Sequence, residues 1–131
     1  MSHEKTFLEL PCGARICRLE VRGTVSGEEA KEILTQLQPG GALQGVPLLI
    51  SLQKLDSLSS DARGVIGEAG LEAVEVWEAV VVTKPVVRVA INFVMRIQGR
   101  KKTRLFTSEP EALQWLDSQA RNDMAAKPGP P

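Results

Sequence analysis

The chain carries one histidine, no tyrosine, two cysteines, three phenylalanines and two tryptophans in 131 residues. With His3 alone, a Ser-His-Asp arrangement has no centre unless the N-terminus folds inward, and the expectation is an exposed, unconstrained side chain at a frayed end. Single-strand nucleic-acid platforms interleave aromatic rings with basic charge, and this chain has too few rings for that. Cys12 and Cys17 are five apart, a spacing that fits neither redox nor zinc pairings, so two buried thiols in a reducing compartment are expected. No apolar stretch approaches the roughly twenty residues of a membrane span, and Arg88 and Arg96 interrupt the best one. The opening MSHEKTFLEL has charge before any apolar run and no signal-peptide core, which points to the cytoplasm. Net charge is also missing, since sixteen basic and sixteen acidic residues cancel. Bulk adsorption to nucleic acid or membrane therefore has no field to drive it.

What the chain does have is one unusually apolar segment. Pro85 to Gln98, PVVRVAINFVMRIQ, reads as a helix whose polar residues are Arg88, Asn92, Arg96 and Gln98, three of them spaced by four along one narrow stripe. A surface helix is normally apolar over a third to a half of its circumference. This one calls for cover on two sides: the protein's own sheet on one, and a partner chain, an apolar ligand or lipid, or another part of the chain on the other. The face concerned is Val86, Val87, Ala90, Phe93, Val94 and Ile97. Charge is also uneven along the chain. Lys84, Arg88, Arg96, Arg100, Lys101, Lys102 and Arg104 run without an acidic residue, whereas Asp56, Asp61, Glu68, Glu72, Glu75 and Glu78 are set against Arg63 alone. Solvated faces are the plain reading of both patches. The basic one could also hold an anion or lipid head group through Arg88, Arg96, Arg100, Lys101, Lys102 and Arg104.

The elements alternate. Thr6 to Leu10 and Ala14 to Gly23 suit a hairpin, the second strand alternating Cys17, Leu19 and Val21 with Arg18, Glu20 and Arg22. Ser26 is placed to cap a helix, with Glu29 three residues on as its capping-box partner. Pro39-Gly40-Gly41 ends that helix. Val46 to Leu52 and Trp77 to Thr83 read as strands buried on both faces. A glycine-weakened helix is expected from about Asp61 to Leu71 between them. Thr103 to Phe106 forms a short strand, and Ser108 caps a last helix with Pro110 and Glu111 in its first turn. From Ala120 the sequence loses periodicity and reads as a disordered tail, leaving a single domain over residues 1–119. The layout is α/β, with a mixed, mostly parallel sheet of about five strands and about four helices.

Motifs for chemistry are weak. Gly64 to Gly70 matches neither the dinucleotide fingerprint nor a P-loop. Glu68, Glu72, Glu75 and Glu78 lie along a helix and into a strand instead of converging from a turn, so no metal is expected, and no cofactor.

The span from Val46 to Leu116, with LDSLSSDAR, AVVVTKPVVRVAINFVMR and TRLFTSEPEAL, resembles the bacterial STAS-type domain family, also described as SpoIIAA-like. The resemblance implies that fold, a distant likeness to CRAL-TRIO lipid carriers, and a non-enzymatic role in protein interaction. In phosphorylatable STAS regulators a loop with an Asp-Ser-x-Gly pattern accepts phosphate on serine. The resemblance lays that loop on Ser59-Ser60-Asp61-Ala62, so Ser60 matches the acceptor while Ser59 and Ala62 depart from the pattern. Asp56-Ser57 recovers the Asp-Ser pair without the glycine. The alternative for Ser59 or Ser60 is a helix cap.

Overall fold

A computed structural model describes residues 3–37, 46–62, 64, 76–85 and 102–126. Five strands form one sheet in sequence order: β1 (His3–Glu9), β2 (Arg15–Val25), β3 (Leu48–Leu58), β4 (Glu78–Val81) and β5 (Thr103–Phe106). β1 and β2 are antiparallel, and β2 through β5 run parallel. The mixed, mostly parallel sheet expected from the sequence is the one observed. Two described helices flank it, α1 (Gly27–Leu37) and α2 (Glu109–Ala126).

The hairpin turn is closed by Leu10 N donating to Ala14 O and Gly13 N donating to Leu10 O, both at 2.8 Å. In β2, residues alternate between two cores. Leu19, Val21 and Val25 join Leu52, Leu55, Val80 and Val82 beneath Ala30 of α1 and Ala62. Ile16 faces the other way, with Leu49, Ala79 and Val81, against Ala112, Leu116 and Ala120 of α2. Helices on opposite faces explain why every residue of β4 is buried, as expected for a parallel strand covered twice.

Both expected caps are present. Ser26 Oγ accepts from Glu29 N at 3.2 Å, and Ser108 Oγ from Glu111 N at 3.4 Å, which satisfies amides left free at helix starts.

Several boundaries differ from expectation. β3 runs six residues past Leu52, because its polar second half pairs with the end of β2 as far as Leu58. Two register shifts make room for this, and Gly23 sits at one of them with φ +65°, a conformation that favours glycine. α2 continues past residue 120 to Ala126. Ala120 is buried in step with Ala112 and Leu116, and Asp123 Oδ2 accepts from Trp77 Nε1 at 2.7 Å. His3 is not frayed: it pairs opposite Val21, its side chain is 5% exposed, and Nδ1 lies 3.0 Å from Glu29 Oε1. Cys17 is buried, and that burial raises its thiol pKa, whereas Cys12 is only half-buried. The expected helix over Pro85–Gln98 lies outside the described residues except for Pro85, which is helical. The expected helix to Leu71 is described only at residues 61, 62 and 64, with Ser60 the first helical residue.

Candidate functional site at the carboxyl end of the parallel strands

β2 and β3 are eleven residues each and outrun the four-residue β4 and β5. Their far ends make a polar rim. Thr24 and Ser57 are opposite in register, and their hydroxyl oxygens lie 3.1 Å apart. Ser59 N donates to Val25 O at 3.0 Å, which ties the end of β3 to the end of β2. Ser59 Oγ accepts from Ala62 N at 3.0 Å and so caps the helical turn that begins at Ser60. Ser57, Ser60 and Asp61 are exposed. Lys84, just past β4, donates from Nζ to Leu55 O at 2.9 Å and Asp56 Oδ1 at 3.0 Å. It bridges the gap left where β3 has outrun β4. On the other side, α1 begins against this turn. A Cβ at Gly27 would stand 2.8 Å from Asp61 Cβ.

The three candidate serines thus fall together on one rim, with distinct surroundings: Ser57 against Thr24, Ser59 as cap, Ser60 as the exposed first residue of the turn. The residues of the apolar face, Val86, Val87, Ala90, Phe93, Val94 and Ile97, lie outside the described residues, as do Arg88, Arg96, Arg100 and Lys101. The strands on either side of that segment in sequence, β4 and β5, are parallel neighbours. Of the basic patch, Lys102 and Arg104 are described and exposed. Lys102 Nζ lies 5.0 Å from the Trp77 ring centroid, and the Arg104 guanidinium lies 5.7 Å from that of Phe106. Trp77 and Trp115 meet edge to face at 5.7 Å, with Phe106 5.5 Å from Trp115.

The sequence reading missed a second polar feature, a charge ladder on the face that carries α2. Glu20, with its side chain 12% exposed, receives Lys54 at 3.1 Å and Arg18 at 3.4 Å, and Arg22 lies 3.9 Å away. Arg22 also holds Glu4 at 2.6 Å, and Arg18 holds Glu109 at 2.5 Å. The signal was present as Arg18, Glu20 and Arg22 alternating on β2. The hydrogen bond from Lys54, with Arg18 adding to it, lowers the pKa of Glu20. Asp117 is lowered as well, first by Arg121 and then by the Cys12 side chain, with the Cys12 amide adding a smaller part. Groups with depressed folded pKa values contribute stability that is present above their unfolded values and lost as pH falls through the folded ones. Stability to urea should therefore fall as pH drops below about 4, and Glu20→Gln should flatten that decline. A urea midpoint that is the same at pH 3 and pH 7 would contradict this.

Comparison with known proteins places this geometry among known folds. A family model described as "Domain of unknown function (DUF7793)" matches residues 16–120. No curated protein matches the chain. Among solved structures, the chain is similar to an uncharacterized protein of the DUF3478 family with a SpoIIAA-like fold from Shewanella loihica PV-4. The identity is 19% and the TM-score 0.67, over 88% of this chain and 93% of that one. It is also similar to an anti-sigma factor antagonist from Mycobacterium paratuberculosis, at 15% identity and TM-score 0.54, over 88% of this chain and 94% of that one. A third match is the anti-sigma factor antagonist SpoIIAA in its unphosphorylated form, at 12% identity and TM-score 0.52, over 95% of this chain and all of that one. Identities this low show the fold alone, and the fold is SpoIIAA-like. No helix among the described residues is long and apolar enough to cross a membrane.

Proposed function

The chain belongs to the DUF7793 family, a domain of unknown function, and we propose that it is a non-catalytic, STAS-like regulatory module that self-associates or docks a protein partner through the apolar segment Pro85–Gln98. The observation that carries this reading is the composition of that segment, which lies in sequence between the parallel neighbours β4 and β5 and, read as a helix, has more apolar surface than one sheet face covers. The fold supports it, since two structures that share it are named as antagonists of anti-sigma factors, a role exercised on a protein. The test is substitution within the segment. Val87→Asp or Phe93→Asp should weaken association while far-UV circular dichroism keeps its folded form. Association that is unchanged in both variants overturns the reading.

A second reading is favoured by the rim. β3 leads into a capped turn whose first residue, Ser60, is exposed, and a phosphate there would meet the amides and dipole of a helix start. In this switch reading Ser60→Asp changes affinity for a partner. No change at Ser57, Ser59 or Ser60 retires it. The carrier reading, in which the apolar face lines a lipid or ligand site, is tested by mass spectrometry of extracts from the purified protein.

A further inference from the structure

β1 ends the sheet, with β2 as its neighbour among the described residues. The hairpin shows which of its backbone groups face outward. Leu10 N donates to Ala14 O, and Cys17 N donates to Pro47 O at 3.0 Å, away from β1. Phe7, opposite Cys17, therefore belongs to a non-hydrogen-bonded pair, and by alternation so do Lys5 opposite Leu19 and Glu9 opposite Arg15. In an antiparallel ladder, residues of such pairs turn N–H and C=O away from each other. The outer edge thus presents the backbone of Lys5, Phe7 and Glu9, whose side chains share one face. Phe7 is 44% exposed, with the Arg15 guanidinium 4.2 Å from its ring centroid. Lys5 Nζ reaches Gln36 Oε1 of α1 at 2.5 Å.

We propose that β1 is a homotypic interface, pairing antiparallel with β1 of a second copy about a two-fold axis at Phe7. The observation that selects the second copy is charge complementarity in one register. With the axis at Phe7, Lys5 stands opposite Glu9 of the partner subunit on both sides of the axis, and Phe7 stands opposite Phe7 of the partner subunit. The ion pairs flank an aromatic pair that covers the exposed ring. An axis at Lys5 would oppose two ammonium groups, and one at Glu9 two carboxylates. An axis at Thr6 would set Phe7 against Lys5 of the partner subunit. Pro11, which has no amide hydrogen to give a ladder, lies beyond Glu9 and ends the pairing. Exposed edges without such complementarity are guarded against pairing by their charges. Here the alternation of sign favours one antiparallel mate. β1 stands at the opposite end of the strand order from β4 and β5, and the side chains concerned are Lys5, Phe7 and Glu9, so this contact does not rest on the Pro85–Gln98 reading.

The test is a charge-reversal cycle, read by sedimentation equilibrium with circular dichroism confirming the fold of every variant. Wild-type protein is expected to dimerise. Lys5→Glu and Glu9→Lys should each raise the dimer Kd roughly tenfold, because each converts two attractive pairs into repulsive ones. Lys5→Glu combined with Glu9→Lys should return it toward the wild-type value. A monomeric wild type, single reversals without effect, or a double variant no better than the singles overturns the interface. Association that is lost in Phe93→Asp but indifferent to the reversals also removes it, while leaving the Pro85–Gln98 surface standing.

Discussion

Leu116→Ala is expected to lower the free energy of unfolding by about 2–5 kcal/mol and the melting temperature by about 10 °C or more. Leu116 is 1% exposed and stands at the centre of the core beneath α2, among Ile16, Leu49, Ala79 and Val81. Its neighbours along the helix at i−4 and i+4 are Ala112 and Ala120, both buried. Small flanking residues bring the helix close to the sheet. At i−4 and i+4 they are also too short to fill the space that a truncated leucine vacates, so the cavity should persist. Met124, on the last turn and 52% exposed, is the control: Met124→Ala should change stability by no more than about 0.5 kcal/mol. Urea unfolding with an unchanged m-value reads both. A loss under about 1 kcal/mol at Leu116 would contradict the packing described.

Gly27→Ala is the second large effect, and its sign is informative. In an unobstructed helix the change would stabilise by roughly 0.5–1 kcal/mol. Here the new Cβ would stand 2.8 Å from Asp61 Cβ and 3.5 Å from the Asp61 carbonyl carbon. The obstacle is the root of a side chain and its backbone, which yield only if the turn moves away from α1. The expected result is destabilisation by about 1–3 kcal/mol. Asp61→Gly removes the opposing Cβ, so the cycle of Gly27→Ala and Asp61→Gly should show a coupling of about 1 kcal/mol or more. A stabilising Gly27→Ala would mean that α1 and the Ser60 turn are not in close contact.

The elements that were legible in the sequence are those whose signals are local. β5 falls on Thr103–Phe106 as read, and Ser26 and Ser108 cap the helices they were expected to cap. The hairpin follows from the alternation in β2. What was not legible depends on distant partners. Gln53 and Lys54 look like the start of a loop, and they are strand because β2 continues beside them and Lys54 reaches Glu20. Asp123 looks like tail, and it is helix against an indole 46 residues earlier in the chain. His3 looks like a loose end, and it is held by Glu29 of α1. The rim shows the same division. Ser57, Ser59 and Ser60 were readable as residues, since serines before a helical pattern are caps or acceptors. The bridge from Lys84 to Leu55 and Asp56, and the approach of Gly27 to Asp61, arise only when strands of unequal length are laid side by side.

Pro85–Gln98 is proposed here as an association surface held by apolar contact. Light scattering coupled to size exclusion, run on wild type and Phe93→Asp at low and at high salt, tests it most directly. The wild type should form an assembly larger than one chain, high salt should leave the Pro85–Gln98 contact intact because burial of apolar side chains is not screened, and Phe93→Asp should lower the mass. A Phe93→Asp protein that is folded and shows the wild-type mass at both salts would contradict it.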